Sequence, residues 1–333
     1  MSRRIERSIA RRELLRAEYG DSDDEDYEIS ETPNTIPSIT KHSLPPRDIL
    51  KLFYDSFHLL FDSPDLEKFI QSVKTELYNR EYLAAFDNDD KRMAYCCRWS
   101  PSRALAYTSL FGSLIEVREL IQSQEANVLL IGGGAGAELA AVCSVLTKAI
   151  VDNDASEDLD FNIDLFDIAD WSRITNKLSS EIRKTWFNNK YQDEIKINFK
   201  NHDILNHSTD FSTYNFISLL FTTNELFKED KKKSLQFFQQ LNQTCEPGTL
   251  LLITESAGSY SHIEIGTKKF PIQFLIDTIL LGKHYQKNPD DGDWELVRQT
   301  DSCWYRVGND PNEYSYPLKL ENMRFFFRLY RKK

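Results

Sequence analysis

A group of glycines follows a short apolar segment near the middle of the chain. The segment LLI at 129–131 leads into Gly132, Gly134 and Gly136, and a helix-forming stretch continues through Leu139. Glycine permits positive φ and lets a ligand approach main-chain N–H groups without meeting a Cβ. The helix that follows presents unpaired donors and its positive end. The pattern therefore predicts a binding site for a nucleotide-like cofactor.

Two cofactors are compatible with these glycines. Gly132, Gly134 and Gly136 form the pattern GxGxG, which is typical of enzymes that use S-adenosylmethionine (AdoMet). Gly132, Gly134 and Ala137 also satisfy the dinucleotide fingerprint GxGxxG/A. The glycines alone leave AdoMet and NAD open.

Polar side chains that follow later apolar segments are candidates for the rest of the site, because ligands of an open parallel sheet bind beyond the carboxyl ends of its strands. Asp167 ends the second predicted strand, where it could accept hydrogen bonds from ribose hydroxyls. Asp203 ends the third, where it could accept from an adenine amino group or cap the turn at Ile204.

Further candidates lie after the fourth and fifth strands and before the glycines. Asn224 and Glu225 could face a transferred methyl group, or act as a helix cap and a first-turn acid. Tyr260, after the fifth strand, could stack on a ligand or belong to a plain loop. Arg103 could pair with the methionine carboxylate of AdoMet, or pack along a helix surface.

The spacing of apolar residues predicts the elements that position these side chains. Helical spacing indicates two packed helices over 49–60 and 66–77, and a third within 103–122. Apolar segments then alternate with helical stretches: VLLI at 128, FNIDLFD at 161, IKINFKNHD at 195, FISLLF at 216 and TLLLIT at 249. This alternation predicts an α/β fold with a parallel, doubly wound sheet.

Two more strand candidates close the chain, WELVRQ at 294 with CWYRV at 303, and MRFFFRLY at 323. No clear helix separates them, so we expect a terminal antiparallel hairpin. Such a hairpin suits the seven-stranded sheet of a methyltransferase better than the sheet of a dehydrogenase.

Composition and charge place few limits on function. Much of the net charge of −11 comes from acidic residues between 21 and 31, so it neither favours nor excludes a nucleic-acid partner. The five cysteines are scattered, without metal-ligand spacing, and read as reduced thiols of a cytosolic or nuclear protein. No apolar run approaches the roughly 18 residues that cross a bilayer, so we expect no membrane partner.

We predict three regions along the chain. Residues 1–47 form a mostly disordered charged tail, with arginines between 3 and 16. Residues 48–122 form an N-terminal helical region, and residues 123–333 form the cofactor-binding domain.

Four segments together resemble one family: RWSPSRALAYTSLF, VLLIGGGAGAEL, FDIADWS and FTTNELF. They are similar to the fungal methyltransferases that modify N3 of a uridine in large-subunit (25S) ribosomal RNA, over roughly 49–333. The resemblance implies a class I AdoMet-dependent enzyme with a Rossmann-like sheet. Its site would have Gly132, Gly134 and Gly136 at the cofactor, Asp167 at the ribose and Asp203 near the adenine. Its partner would be large-subunit rRNA or a preribosome, in the nucleus (nucleolus) or cytoplasm.

Methylation of uracil N3 would set specific demands on the site. N3 carries a proton and lies on the Watson–Crick edge, so the base must be unpaired or extruded and its proton must be accepted. Glu225 is our hypothetical base, and Asn224 a hypothetical contact to the base edge. Candidate phosphate contacts are the arginines between 3 and 16 and Lys268, Lys269, Arg324, Arg328, Arg331, Lys332 and Lys333.

Three other functions remain open on the sequence. A methyltransferase acting on a protein or small molecule would use the same cofactor site. An NAD-dependent oxidoreductase agrees with Ala137 and Asp167, but not with Asp203 or the terminal hairpin. A non-catalytic ribosome-assembly factor could retain the fold alone.

Overall fold

The computed structural model describes residues 35–153, 155–258, 262–265, 268–284, 287–288 and 291–333. Helices occupy the first part of the described chain, as predicted. They are α1 (Pro46–Phe61), α2 (Leu66–Tyr78), α3 (Tyr82–Ala85), α4 (Asp89–Ser113) and α5 (Ile115–Gln122).

The third predicted helix, within 103–122, corresponds to two helices in the structure, α4 and α5, and α4 begins earlier than predicted. Helix α4 begins at Asp89, where the Asn88 side chain accepts the Lys91 N–H at 3.0 Å, and it ends where Leu114 adopts an extended backbone. Our sequence interpretation placed the start of this helix too late. Residues 89–102, which follow the cap, are buried on most sides, so they lack the alternation of apolar and polar residues that marks a helix.

Strands alternate with helices over the rest of the chain. The elements are β1 (Glu125–Ile131), α6 (Ala137–Asn153), β2 (Asp160–Asp167), α7 (Ser172–Thr185), β3 (Ile195–Asn201), β4 (Phe216–Leu220), α8 (Thr223–Glu229), α9 (Lys231–Thr244), β5 (Leu250–Ser256), β6 (His262–Ile265), β7 (Lys268–Pro271), α10 (Ile272–Leu280), β8 (Trp294–Tyr305) and β9 (Met323–Lys332).

The seven-stranded sheet has the order β3-β2-β1-β4-β5-β9-β8. The first five strands in this order pair in parallel, and β9 pairs antiparallel with both β5 and β8. This confirms the predicted fold with its terminal antiparallel hairpin. The two apolar pieces at 294 and 303 are one strand, β8, whose pairing shifts register between Leu296 and Arg298 and again between Thr300 and Cys303. The hairpin of β6 and β7, and helix α10 after it, were not predicted.

The N-terminal helices share a core with the sheet. Phe53 of α1 and Phe111 of α4 are fully buried, and the Phe111 ring packs edge-on against Phe216 of β4 at 5.8 Å. The other face of the sheet is covered by helices α9 and α10, through residues such as Phe238 and Ile276. The helical region at 46–122 is therefore one of the two layers that bury the sheet.

Residues 35–45 pack against this core, although the sequence analysis placed them in the disordered tail predicted for residues 1–47. Ile36 is only 4% exposed, Thr35 forms an isolated bridge with Trp304, and the Ser109 hydroxyl donates to the Pro37 carbonyl at 2.5 Å. The prolines and polar residues of this stretch suggested disorder, yet the buried Ile36 side chain holds it against the core. The rest of the predicted tail, residues 1–34, lies outside the described residues.

We expect Ile36→Ala to lower the free energy of unfolding by about 2–5 kcal/mol, because it removes a buried aliphatic side chain. The matched control is Ile39→Ala, since Ile39 lies on the same segment and is 49% exposed. This control should change the free energy by less than about 0.5 kcal/mol. Urea unfolding midpoints measure both, and equal midpoints for the two variants would show that residues 35–45 do not stabilise the domain.

All five cysteines are buried free thiols. Among the described residues, none of the helices combines the length and apolar character that a membrane span needs.

Candidate active site

A cavity of about 360 Å³ opens at the carboxyl ends of the parallel strands. The glycine turn after β1, the end of β2, the loop after β3 and the start of α8 form its floor, and side chains of α3 and α4 line the opposite side. Of the residues predicted for the site, the structure brings six to this cavity: Gly132, Gly136, Asp167, Asp203, Arg103 and Glu225. Two others, Gly134 and Asn224, lie behind its lining. Tyr260 falls outside the described residues.

The glycine turn is shaped by close approach of neighbouring elements. Gly132 has φ of +76°, and a Cβ there would lie 2.2 Å from the Thr222 hydroxyl oxygen at the end of β4. A Cβ on Gly134 would lie 2.2 Å from Cδ1 of Trp171. Gly132 is therefore required for its backbone conformation, and Gly134 is required for the close packing of Trp171.

Asp167 connects the glycine turn to the end of β2. One carboxylate oxygen accepts the Gly134 N–H at 3.1 Å, and the other accepts the Ala169 N–H at 3.0 Å. Burial raises the pKa of Asp167 to about 6. The carboxylate is thus held at the cavity, with lone pairs left for ligand hydroxyls. This geometry explains why the segments IGGGAGAEL and DIADWS occur together, because Trp171 covers Gly134 while Asp167 accepts its N–H.

Asp203 occupies both places that its sequence context suggested. It lines the cavity, and its carboxylate also caps the turn after β3 by accepting the Leu205 N–H at 2.9 Å and the Asn206 side-chain amide at 2.5 Å. The two alternatives are therefore not exclusive. The cap fixes a carboxylate at the edge of the cavity.

Arg103 projects into the cavity from α4. Its guanidinium lies 5.5 Å from the centre of the Tyr95 ring and 5.1 Å from that of Phe221. It forms neither an ion pair nor a hydrogen bond with any residue that the structure describes. The two rings fix the position of the guanidinium, while its N–H donors remain available for a carboxylate.

Glu138 and Glu255 also belong to the site, although sequence reasoning did not single them out. Glu138, in the first turn of α6, is 3% exposed and accepts the Ser218 hydroxyl at 2.7 Å. Glu255 is buried near the end of β5. Burial raises the pKa of Glu138 to about 8 and that of Glu255 to about 7. Glu255 could have been found, because it follows the same strand-end rule that identified Asp167.

Asn224 contacts Glu255 and not the cavity. Its backbone N–H and its side-chain amide donate to the two Glu255 carboxylate oxygens, at 2.8 and 2.6 Å. The contact between Asn224 and a base edge stays a prediction, with the side-chain amide already engaged by Glu255. Asn224 instead fixes the start of α8 against the end of β5.

Glu225, in the first turn of α8, does line the cavity. Burial, followed by the negative charges of Asp167 and Glu255, raises its pKa to about 8, while Arg103 opposes the shift. A carboxyl group with such a pKa can accept a proton from a weakly acidic N–H near neutral pH. The other reading of Glu225, a first-turn acid that supports the helix, places it in the same position.

The charges of the site suit a cationic ligand. Four carboxyl groups belong to the site: those of Glu138 and Glu255 are buried, and those of Asp167 and Glu225 are half-buried. Two guanidinium groups line the cavity, and that of Arg92 is paired with Asp89, whereas that of Arg103 has no ion pair among the described residues. AdoMet carries a sulfonium and an ammonium group with one carboxylate, whereas NAD carries two phosphates. Carboxyl groups of this set, when ionised, therefore favour the two cations of AdoMet over the two phosphates of NAD, and Arg103 can pair with the AdoMet carboxylate.

Three of the basic residues predicted to contact phosphate lie away from the cavity, whereas exposed Arg324 lies beside the carboxyl end of β5. Arg328 is 4% exposed and donates to Asp277 and Asp301. Arg331 and Lys332 are paired with the start of β5, at the opposite edge of the sheet from the cavity. The side chains of Lys268 and Lys269, and the arginines between 3 and 16, are not described.

The fold and the site together define a class I AdoMet-dependent methyltransferase. The chain belongs to the family described as putative SAM-dependent methyltransferases, whose model matches residues 53–331. It is 46% identical over 324 residues to the 25S rRNA (uridine(2843)-N(3))-methyltransferase of Saccharomyces cerevisiae. The match covers 89% of this chain and 88% of the relative.

Solved structures resemble the chain only distantly. The N-methyltransferase NodS of Bradyrhizobium japonicum in complex with S-adenosyl-L-homocysteine (AdoHcy) is 16% identical, with a TM-score of 0.34, over 79% of this chain and 98% of NodS. A methyltransferase structure from Thermoplasma acidophilum gives 10% identity and a TM-score of 0.37, over 62% and 68% of the two chains. The assignment rests on the family match and the yeast relative.

We expect AdoHcy, and not NAD, to raise the thermal midpoint of the purified protein. A ligand present at 100 times its Kd stabilises the folded state by about 2.7 kcal/mol, which for a domain of this size is a shift of several degrees. Differential scanning fluorimetry with each ligand measures the effect. A shift with NAD that matches or exceeds the shift with AdoHcy would contradict the charge argument.

Proposed function

We propose that this chain transfers the methyl group of AdoMet to N3 of a uridine in large-subunit ribosomal RNA. The observation that carries the proposal is the half-buried Glu225 carboxyl group, which lines the cavity from the first turn of α8 and has its pKa raised to about 8. The yeast relative, by its name, modifies uridine N3 in 25S rRNA, and the high identity over most of both chains supports the same acceptor here.

The acceptor atom explains why a base is needed. Uracil N3 bears a hydrogen, so attack on the methyl group requires removal of that proton. AdoMet, when bound, supplies an electrophilic methyl group on a positively charged sulfur. Glu225 accepts the N3 proton, and the surrounding side chains hold the uracil in line with the methyl group and exclude water.

The cofactor contacts follow from the order of residues along the cavity. Asp167 accepts from the ribose hydroxyls at the glycine turn, and Asp203 accepts from the adenine amino group at the end of β3. Arg103 binds the carboxylate of the methionine portion, which provides the partner its guanidinium lacks among the described residues. Glu138, buried beside the glycine turn, would accept from the ammonium group.

The uracil would enter from the side formed by α3. Tyr82 and Leu83 of this helix and Ile168 after β2 line the cavity, and Leu83 and Ile168 are 58% and 49% exposed. Exposed apolar side chains around a polar cavity suit the flat face of an unstacked base. A base paired within a helix would keep N3 inaccessible, so the substrate uridine must be single-stranded or extruded.

The test is mass spectrometry of ribosomal RNA nucleosides from cells that lack the gene. We expect one 3-methyluridine to be lost, restored by the wild-type gene and not by a Gly134→Ala gene. Loss of the modification would show that the chain is required to methylate rRNA, and we propose that it acts on rRNA or preribosomes in the nucleolus or the cytoplasm. An unchanged nucleoside profile would overturn the proposal and favour a protein substrate or a scaffold role.

A further inference from the structure

Four lysines surround the junction between α8 and α9, beside the cavity: Lys228, Lys231, Lys232 and Lys233. We propose that this lysine junction binds the phosphates of the substrate RNA, a role that rests on the function proposed above. It would act in place of Arg328, Arg331 and Lys332 of β9, which the sequence favoured and which the structure places away from the cavity.

The junction adjoins the cavity through side chains of both helices and of the turn after β3. Leu226 and Glu229 of α8 line the cavity within one turn of Lys228. The Lys233 ammonium contacts the Asn206 side-chain carbonyl, and the Asn206 amide in turn donates to Asp203. RNA that places a base in the cavity would therefore pass over these lysines.

Two lysines of this junction, Lys228 and Lys232, are available for an anion. Lys228, Lys231 and Lys232 are exposed, and neither Lys228 nor Lys232 forms an ion pair with any described residue. Glu229 and Asp230 lie between them, but the Asp230 carboxylate already accepts the Lys233 N–H at 3.0 Å as the cap of α9. The junction keeps a local positive charge in a chain whose net charge is −11.

The position of the lysines is unfavourable for the helix itself. Lys231, Lys232 and Lys233 occupy the first turn of α9, where the helix dipole disfavours positive charge by about 0.3–1 kcal/mol for each residue. The dipole and the ammonium groups reinforce each other there. An anionic partner such as RNA phosphate would offset this cost, whereas a merely solvated surface would not.

The basic residues of β9 provide the contrast. Arg331 and Lys332 lie at the opposite edge of the sheet, and they pair with Glu295 and Asp293. Arg328 is buried between Asp277 and Asp301. Position and pairing thus both favour the lysine junction over Arg328, Arg331 and Lys332 as the surface that contacts RNA.

The test compares two double variants that remove the same charge. Lys228→Gln/Lys232→Gln changes the junction. Lys196→Gln/Arg331→Gln changes two exposed residues paired with the amino ends of β2 and β5. The probe is a fluorescein-labelled single-stranded oligouridylate, and anisotropy gives its Kd over a range of salt concentrations with AdoHcy present.

Each phosphate contact on a single strand contributes about 0.7 to the slope of log Kd against log salt concentration. We expect the junction variant to lose about 1.4 from this slope and the control variant to keep the wild-type slope. Stabilisation by AdoHcy should be the same in all three proteins, which shows that the cofactor site is intact.

Three outcomes would overturn the inference: an unchanged slope in the junction variant, an equal loss in both variants, or no binding of the probe by the wild-type protein. The nucleoside measurement separates this failure from failure of the proposed function. If the wild-type gene restores 3-methyluridine while the junction variant keeps its slope, the lysine junction is wrong and the function stands. If deletion leaves the nucleosides unchanged, the function is wrong whatever the slope.

Discussion

Glu225→Gln should slow methyl transfer by about 10²- to 10⁴-fold while leaving AdoMet binding intact, because it removes a general base and preserves the shape of the side chain. The measurement is a single-turnover reaction with saturating enzyme and AdoMet, since product release then does not hide the chemical step. AdoHcy affinity, measured separately, reports the cofactor site. Full turnover in this variant would refute the role of Glu225 as base.

The pH dependence of the methyl-transfer rate is a second test of Glu225. Burial, followed by the charges of Asp167 and Glu255, raises the pKa of Glu225 to about 8, so the free protein holds this group largely protonated at neutral pH. Only the carboxylate can accept the N3 proton. The wild-type rate should therefore rise with pH and level off once Glu225 is ionised, and the positive sulfonium of bound AdoMet should move that point below 8.

Without Glu225 the reaction depends on ionisation of uracil N3 itself. The rate of the Gln variant should then continue to rise beyond the pH at which the wild-type rate levels off. The control is Glu246→Gln, at an exposed position just before β5 and remote from the cavity. It should reproduce the wild-type profile, and a shifted profile in this control would show that net charge, not Glu225, sets the pH dependence.

Gly134→Ala should weaken AdoHcy binding by about 100-fold or more. The added Cβ would lie 2.2 Å from Trp171 and 2.8 Å from an Asp167 carboxylate oxygen, so the turn must shift and the bond from the Gly134 N–H to Asp167 cannot persist. A displacement of about 1 Å in a positioned group can cost about 100-fold. Isothermal titration calorimetry with AdoHcy measures the loss.

Gly258→Ala is the matched control for this substitution. Gly258 also follows a strand at the carboxyl edge of the sheet, but a Cβ there would meet nothing within 4 Å. We expect its AdoHcy affinity to equal that of the wild type. Similar losses in both variants would mean that any glycine change near this edge disturbs the cofactor, and the specific contact with Trp171 would not be the cause.

The parts of the site that could be predicted are those set by one strand and the turn after it. Gly132, Asp167, Asp203 and Glu225 all follow an apolar strand, and parallel strands bring their carboxyl ends together. The partner of Asn224 could not be predicted in this way. Glu255 lies 31 positions further along the chain, and the contact exists only because β4 and β5 are neighbours in the sheet.

The burial of Arg328 could not be predicted either, because it depends on an element elsewhere in the chain. An arginine in the strand MRFFFRLY reads as a solvent-facing residue, yet its guanidinium is buried against Asp277. Asp277 belongs to α10, which the sequence pattern did not predict. Burial of a charge depends on the element that covers it, and a single strand carries no information about that element.

The position of β9 between β5 and β8 determines the order in which the molecule can fold. Strand β8 is synthesised before β9 but pairs only with β9 in the seven-stranded sheet, so it has no edge to join until β9 exists. Thr35 and Ile36 depend on the same event, because both contact the backbone of Trp304 in β8. A nascent chain therefore carries unpaired β8, and Thr35 and Ile36 without their partner, until β9 has been synthesised. Closure of these long loops should limit the folding rate, and the open edge of β5 is then the surface most exposed to aggregation.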